Sequence, residues 1–218
     1  MASRFNGATL YQARLALATL GVGNRTAATE LVGCDLRRAV LTGADLRYAD
    51  LHNANLSGAV LDHGDLQYAN LDGADLSGAS LRNALLIHAT LRDADLSGAN
   101  LVNAHFNSAS LARANLSEVH ASDGHHTTAA NFNLADLRDA SLRHAGLWGA
   151  AICRANQVNA NLTGADLSEA YLSGSTLEHA VVTDADFKGV EFATVRVAFA
   201  NFSQARNADL PAFKTDWV

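Results

Sequence analysis

Proline is almost missing from this chain: Pro211 is the only one in 218 residues. Main-chain pairing can therefore run nearly end to end without losing a donor. Cysteine is as scarce, with only Cys34 and Cys153, in unrelated settings. Both read as free thiols of a reducing cytoplasm, not as a disulfide framework. Aromatics make up only 6% of the chain, so its core is built mainly from other residues. No apolar run approaches the ~18 residues of a membrane span. Residues 8–20 lean apolar, but Gln12 and Arg14 interrupt what would be a signal-peptide core. Positive charge is in deficit, 16 Lys and Arg against 22 Asp and Glu, for a net charge of −6. That removes the basic footprint that direct nucleic-acid binding needs. It leaves room for a partner with a basic surface.

What is present is a five-residue rhythm. From Leu31 a large apolar residue returns at Leu36, Leu41, Leu46 and onward to Leu116, with Ala121 continuing weakly. Two residues before each stands a small one, almost always Ala, as at Ala39, Ala44 and Ala114; Cys34 takes one such inward place. A period of five fits neither a helix at 3.6 nor a strand at 2. Sustained this long it is the mark of a solenoid. A second run, one residue out of phase, goes from Phe132 to Phe202. Gln157 is its odd member, a polar residue at an inward position that needs a hydrogen-bond partner or a local distortion. Between the runs, Ser122 to Thr128 is polar and contains Gly124, so it reads as a protruding loop within 122–131. Eleven residues there separate Ala121 from Phe132, read as a one-residue slip on a ten-residue spacing. Leu20 and Leu31 are also eleven apart, and Gly23–Ala28 resembles Gly124–Ala129, which places a second loop near 21–30.

Phe5, Leu10, Leu15 and Leu20 keep the spacing, with Ala8, Ala13 and Ala18 two before the last three. Residues 1–20 therefore read as a first coil, or alternatively as a capping helix, since Ala and Leu favour helix and solenoids need caps. The whole is one elongated domain, 1–210, with a short tail, 211–218, that carries Phe213 and Trp217.

Asn55-Leu56-Ser57-Gly58, Asp75-Leu76-Ser77-Gly78 and Asp95-Leu96-Ser97-Gly98 recur every 20 residues, four fives, which suggests four faces. Tyr48 and Tyr68 share that spacing with His88 next, and should form an outward ladder. Each large apolar residue points inward and stacks on its equivalent one coil away, with the small residue beside it. Units such as Ala44-Asp45-Leu46 and Ala74-Asp75-Leu76-Ser77-Gly78 resemble the signature of pentapeptide-repeat proteins. The resemblance implies an all-β fold, a right-handed quadrilateral β-helix. The chain would then make about nine coils, a rod roughly 45 Å long at a coil spacing of about 4.8 Å.

Chemistry is thin on this rod. His120, His125 and His126 lie close in sequence, but only Asp123 is near, and the plain reading is an exposed polar loop without metal. Gly21-Val22-Gly23 lacks the third glycine and the context of a dinucleotide loop. No nucleophile or metalloprotease motif is present, and a filled rod has no concave site. The reading is a non-enzyme without cofactor.

Two functions remain. Some proteins of the resembled family mimic B-DNA and bind DNA gyrase or topoisomerase IV, protecting them from quinolones or other poisons. On that reading the candidate acidic surface is Asp35, Asp75 and Asp95 on one face, with Asp45 and Asp65 on the next. The loop residues Asn24, Arg25, His125 and His126 would assist. Arg37, Arg38, Arg47, Arg82, Arg92, Arg138 and Arg143 interrupt this surface. The other reading is a rigid scaffold for a different protein partner, docked through the loops or through Tyr48 and Tyr68. The resemblance also implies a homodimer through the tail, at Phe213 and Trp217, unless the tail instead plugs the open coil.

Overall fold

The computed structural model describes residues 4–16, 18–20 and 29–212. Among these there is no long strand. Single residues pair in parallel, one per side of a square coil, and each pair repeats 20 residues on. Four ladders result. The first runs through Glu30, Asp50, Asn70, Thr90 and Ser110; the second through Asp35, Asn55, Asp75, Asp95 and Asn115. The third passes through Val40, Val60, Ser80, Asn100 and His120; the fourth through Asp45, Asp65, Leu85, His105 and Asn131.

One side of one coil shows how the local sequence makes the corner. The N–H of Leu56 donates to the carbonyl of Asp75 at 2.6 Å, and that of Gly58 to Ser77 at 2.9 Å. The N–H of Ala59 turns back to the carbonyl of Leu56, closing a tight turn. The third turn residue takes positive φ, 64° at Gly58, as a type II turn requires. Asn55 Oδ1 accepts the N–H of Ser57 at 3.0 Å, so the polar residue before each Leu fastens the corner.

Leu and Ala at the inward positions are almost wholly buried and form one continuous core. Gln157 is 1% exposed in the same column, and its Nε2 has no hydrogen-bond partner. The side-chain partner its sequence position called for at that atom is missing. Cys34 fills an Ala place, its thiol donating to the Phe5 carbonyl at 2.8 Å, and burial pushes that thiol's pKa up.

Three readings of the sequence change here. The loops do not slip a ten-residue spacing. Ala121 and Phe132 sit on consecutive faces, so the segment inserts six residues between centres normally five apart. The pairs around it, His105–Asn131 and His120–Gly146, accordingly span 26 residues. The same offset joins Arg4 to Glu30 across the first loop. Residues 4–20 pair with the next coil at Arg4, Thr9, Arg14 and Thr19, which is a coil and not a helix. Finally, Asp45 and Asp65 are not on the face next to Asp35, Asp75 and Asp95. Ten residues carry the chain half way round a four-sided coil, so the two sets stand on opposite faces.

The last coil departs from the pattern. Phe187, Phe192 and Phe202 pack against one another at 5.3–5.5 Å with rings tilted or edge-on. Tilted rings are wider than a Leu column, and the wall opens beside two of them. The pairs expected just before Phe192 and Phe202, Tyr171–Glu191 and Val181–Asn201, are not formed, while Thr176–Arg196 and Asp186–Arg206 are. Phe106 and Phe132, stacked flat at 4.9 Å, leave their own pair His105–Asn131 intact.

Candidate functional site

The outward positions decide what a partner meets, and the faces differ. Three successive corners of the second face are Gly58, Gly78 and Gly98, preceded by Ser57, Ser77 and Ser97, while its other corners include Arg38, Glu118, His144 and Asp184. At the matching corners of the fourth face stand Tyr48, Tyr68 and His88. Their rings stack at 5.0 Å from Tyr48 to Tyr68 and 5.0 Å from Tyr68 to His88. All three hold φ near +60°, a conformation that favours glycine. The apolar character continues along this face through half-buried Leu85 and Ile87 to Leu134, 55% exposed, and Tyr171, 53% exposed.

The acidic candidates are largely held by arginines. Asp35 pairs with Arg37 at 2.8 Å, and this hydrogen-bonded guanidinium holds its pKa below the ordinary carboxylate value. Arg47 lies between Asp45 at 2.7 Å and Asp65 at 3.6 Å, with the same effect on Asp45. Asp93–Arg113 and Asp136–Arg138 repeat the arrangement, each at 2.6 Å. Asp75 and Asp95 differ, because a serine stands where the arginine would be. Asp75 accepts the N–H of Ser77 at 2.9 Å, and Asp95 accepts Ser97 N–H at 2.9 Å and Asn115 Nδ2 at 3.0 Å. Among the described residues the second face thus keeps Asp75 and Asp95 without ion-pair partners, and on the fourth face one arginine is shared by Asp45 and Asp65, leaving one net negative charge.

The loop is a small folded unit with one 3-10 turn, His126–Thr128. Asp123 accepts the Thr128 hydroxyl, and that hydroxyl also reaches the His125 carbonyl at 3.0 Å. The Thr128 bond is the main reason Asp123 has a lowered pKa. His126 lies over Gly149, where a Cβ would come within 2.9 Å of its ring, and packs on Trp148 at 4.4 Å and on Tyr171 at 5.9 Å. His125 is not in this cluster; its N–H donates to Asp123 at 3.3 Å. Asn24, Arg25, Phe213 and Trp217 lie outside the described residues. No group of three or more His, Cys, Asp or Glu among the described residues is arranged to hold a metal.

The rod is not entirely without a hollow. A cleft of about 330 Å³ opens at the broken part of the fourth face, lined by His126, Cys153, Glu169, Tyr171, Glu191 and Thr194 among others. Of these the sequence singled out His126 as a binding candidate and Cys153 only as a free thiol. Trp148, Tyr171, Glu169 and Glu191 carried no usable signal, since each stands at an ordinary outward position of its repeat.

The family model for pentapeptide repeats matches in eight copies, over residues 27–58, 54–93, 65–101, 91–122 and 158–193, more than half of the chain. Among solved structures, the chain is similar to HetL, a pentapeptide repeat protein involved in heterocyst differentiation regulation from the cyanobacterium Nostoc sp. strain PCC 7120. The identity is 30% over 95% of this chain and 91% of that one, with a TM-score of 0.48. It is also similar to trypsin-treated QnrB1, a plasmid-mediated fluoroquinolone resistance protein, at 16% identity over 85% of each chain and a TM-score of 0.48. A pentapeptide repeat protein of the Arabidopsis thaliana thylakoid lumen is 27% identical over 64% of this chain and 69% of that one, with a TM-score of 0.33. No curated protein matches the chain. The repeats, the four ladders and the family match together establish that this chain belongs to the pentapeptide repeat family.

Proposed function

We propose that this chain is a non-enzymatic, rigid protein-binding rod that docks its partner on the fourth face. One observation carries the reading. Tyr48, Tyr68 and His88 stack as one row on successive corners of the fourth face, whereas three successive corners of the opposite face, Gly58, Gly78 and Gly98, carry no side chain. A non-glycine residue pays about 1–2 kcal/mol to hold the positive φ of such a corner. Non-glycine residues hold the same conformation at most described corners of the rod, so that cost is general, and what sets this row apart is the stacking of its rings, worth about 0.5–1.5 kcal/mol a pair. An exposed, rigid aromatic row is the material of an interface anchor. No helix among the described residues is long and apolar enough to cross a membrane. A cytoplasmic setting belongs to this reading, supported by the two free cysteines.

A second reading is DNA mimicry toward DNA gyrase or topoisomerase IV. Asp75 and Asp95, one coil apart and free of arginine, favour it, as does the net charge of −6. The arginines that hold Asp35, Asp45 and Asp65 weigh against it, since a mimic needs an unbroken negative stripe. The experiment is DNA supercoiling by purified gyrase, titrated with this protein, with and without a quinolone. Restored supercoiling in the presence of the quinolone, lost when Asp75 and Asp95 become Asn, establishes mimicry. No effect at micromolar protein leaves the fourth-face reading, and the partner search then compares wild type with Tyr68→Gly. Dimerisation through the tail is a separate proposal, tested by sedimentation of wild type against Trp217→Ala.

A further inference from the structure

We infer that the cleft at the C-terminal end of the fourth face is a binding site for an extended, basic segment of a partner protein. The segment would pair through its main chain and place a lysine or arginine between Glu169 and Glu191. The inference deepens the protein-binding reading, and it rests on that reading only in placing the partner on the fourth face.

Four observations converge. The first is an open main-chain edge. The Tyr171–Glu191 pair is missing although the pairs before and after it in the same coil, Asp166–Asp186 and Thr176–Arg196, are formed. Among the described residues the N–H groups of Leu172 and Glu191 find no main-chain acceptor. Gly174 N–H is taken by the Thr194 hydroxyl at 2.9 Å, and Ser173 Oγ lies 3.1 Å from the same hydroxyl. A main-chain donor without an acceptor beside a cleft is the feature that strand addition uses.

The second is the packing behind the opening. Phe187, Phe192 and Phe202 meet at the end of the core. The gap lies against this buried ring cluster, and the main-chain pair that would close it, Tyr171–Glu191, is the one just before Phe192.

The third is charge. Glu169 and Glu191 both line the cleft, and among the described residues neither has an ion-pair partner. No lysine or arginine lines it. The Glu169 carboxylate lies directly over Gly189, where a Cβ would come within 2.7 Å of it; Gly189 has φ +76°. Glycine there lets the acid lie flat on the cleft wall.

The fourth is the aromatic wall. Tyr171 is 53% exposed, and His126 leans on it from the loop, backed by Trp148. An ammonium or guanidinium group beside such rings gains cation–π attraction in addition to the carboxylates. A negative, aromatic cleft with free main-chain donors selects a cationic extended chain. An acidic or purely apolar segment would leave both glutamates unmatched.

The test is fluorescence anisotropy with the full-length protein and three labelled nine-residue peptides, alternating valine with lysine, with glutamate or with serine. The expected result is saturable binding of the lysine peptide alone, weakened by added salt. It should fall at least tenfold in the double variant Glu169→Gln with Glu191→Gln, and at least tenfold when the peptide's alternate amides are N-methylated. A second variant, Gly189→Ala, should displace Glu169 and weaken binding in the same direction. Circular dichroism and melting of each variant separate lost binding from lost fold. Equal binding of all three peptides, no effect of the double variant, or no saturable binding overturns the inference. Self-association that disappears in the double variant overturns it in favour of a second copy as occupant. Tyr68→Gly lies far along the rod and should leave lysine-peptide binding unchanged. Failure of the aromatic row to bind a partner and failure of the cleft are thus read separately.

Discussion

The second and fourth faces share one core, one backbone path and one five-residue rule, yet they meet solvent as different materials. The middle of the second is a flat run of serine and glycine that carries Asp75 and Asp95, with charged corners at Arg38 and Glu118 on either side. The fourth is a stacked aromatic row followed by aliphatic residues and an acidic cleft. Three of each five positions look outward and differ between faces: the two turn residues and the residue before each inward one, which is Asn55, Asp75 and Asp95 on the second face but Leu85 and Tyr171 on the fourth. The contrast teaches that in this fold stability is spread evenly over the coils, while recognition is confined to the outward positions of chosen faces.

The contrast can be broken from below. Ala94→Leu inserts three carbons into a core where Ala94 is 1% exposed, and should cost about 1–3 kcal/mol. The melting temperature should fall by about 2–4 °C per kcal/mol. Because the core is shared, partner binding and peptide binding should then fall only as the folded fraction does. An unchanged melting temperature would contradict the inward register.

The contrast can also be sharpened from outside. Tyr68→Gly should leave thermal stability within about 0.5 kcal/mol, because relief at a positive-φ corner offsets the lost stacking. Partner affinity should drop by about 2 kcal/mol, roughly thirtyfold, if Tyr68 is an anchor. Ser77→Ala on the opposite face should change neither. Inside the core, Gln157→Leu should raise stability by about 1 kcal/mol, the low end of the cost of an unsatisfied buried donor. A melt with matched controls reads this gain, and a loss would mean that the Gln157 amide has a partner not seen here.

Two smaller effects follow from the environments of titrating groups. Cys153, at an outward position, should react with a thiol reagent in the native protein, while buried Cys34 reacts only on unfolding. Asp45 and Asp136 have pKa values lowered chiefly by their arginine partners. A carboxylate with a depressed folded pKa contributes stability above its unfolded pKa, about 4, and loses it as pH falls through the lower folded value. Melting temperature should therefore be flat from pH 7 to about 5 and decline below about 4. Arg47→Gln and Arg138→Gln should flatten that decline slightly, since these pairs are largely exposed and weak.

Much of the rod was legible in the sequence because its rule is local and repeated. The period of five, the small residue two before each Leu and the 20-residue recurrence of Tyr48 and Tyr68 point directly to the core and to the stacked row. What depends on counting faces was harder to read. The length of the loop insertion and the opposition of Asp45 to Asp35 follow only once each pentapeptide is taken as a quarter turn. The cleft was invisible because it comes from no motif. It lies where three phenylalanines at otherwise ordinary inward positions meet and tilt, beside two missing pairs in a wall that their rhythm predicts to be closed.

The most direct test of the central claim is site-specific photo-crosslinking in living cells. A photoreactive amino acid is placed at position 68 on the fourth face and, separately, at position 77 on the second. The account predicts a discrete protein adduct from position 68, suppressed when Tyr48 is also changed to Gly, and none from position 77. Adducts from position 77 alone, or equal adducts from both, would contradict it.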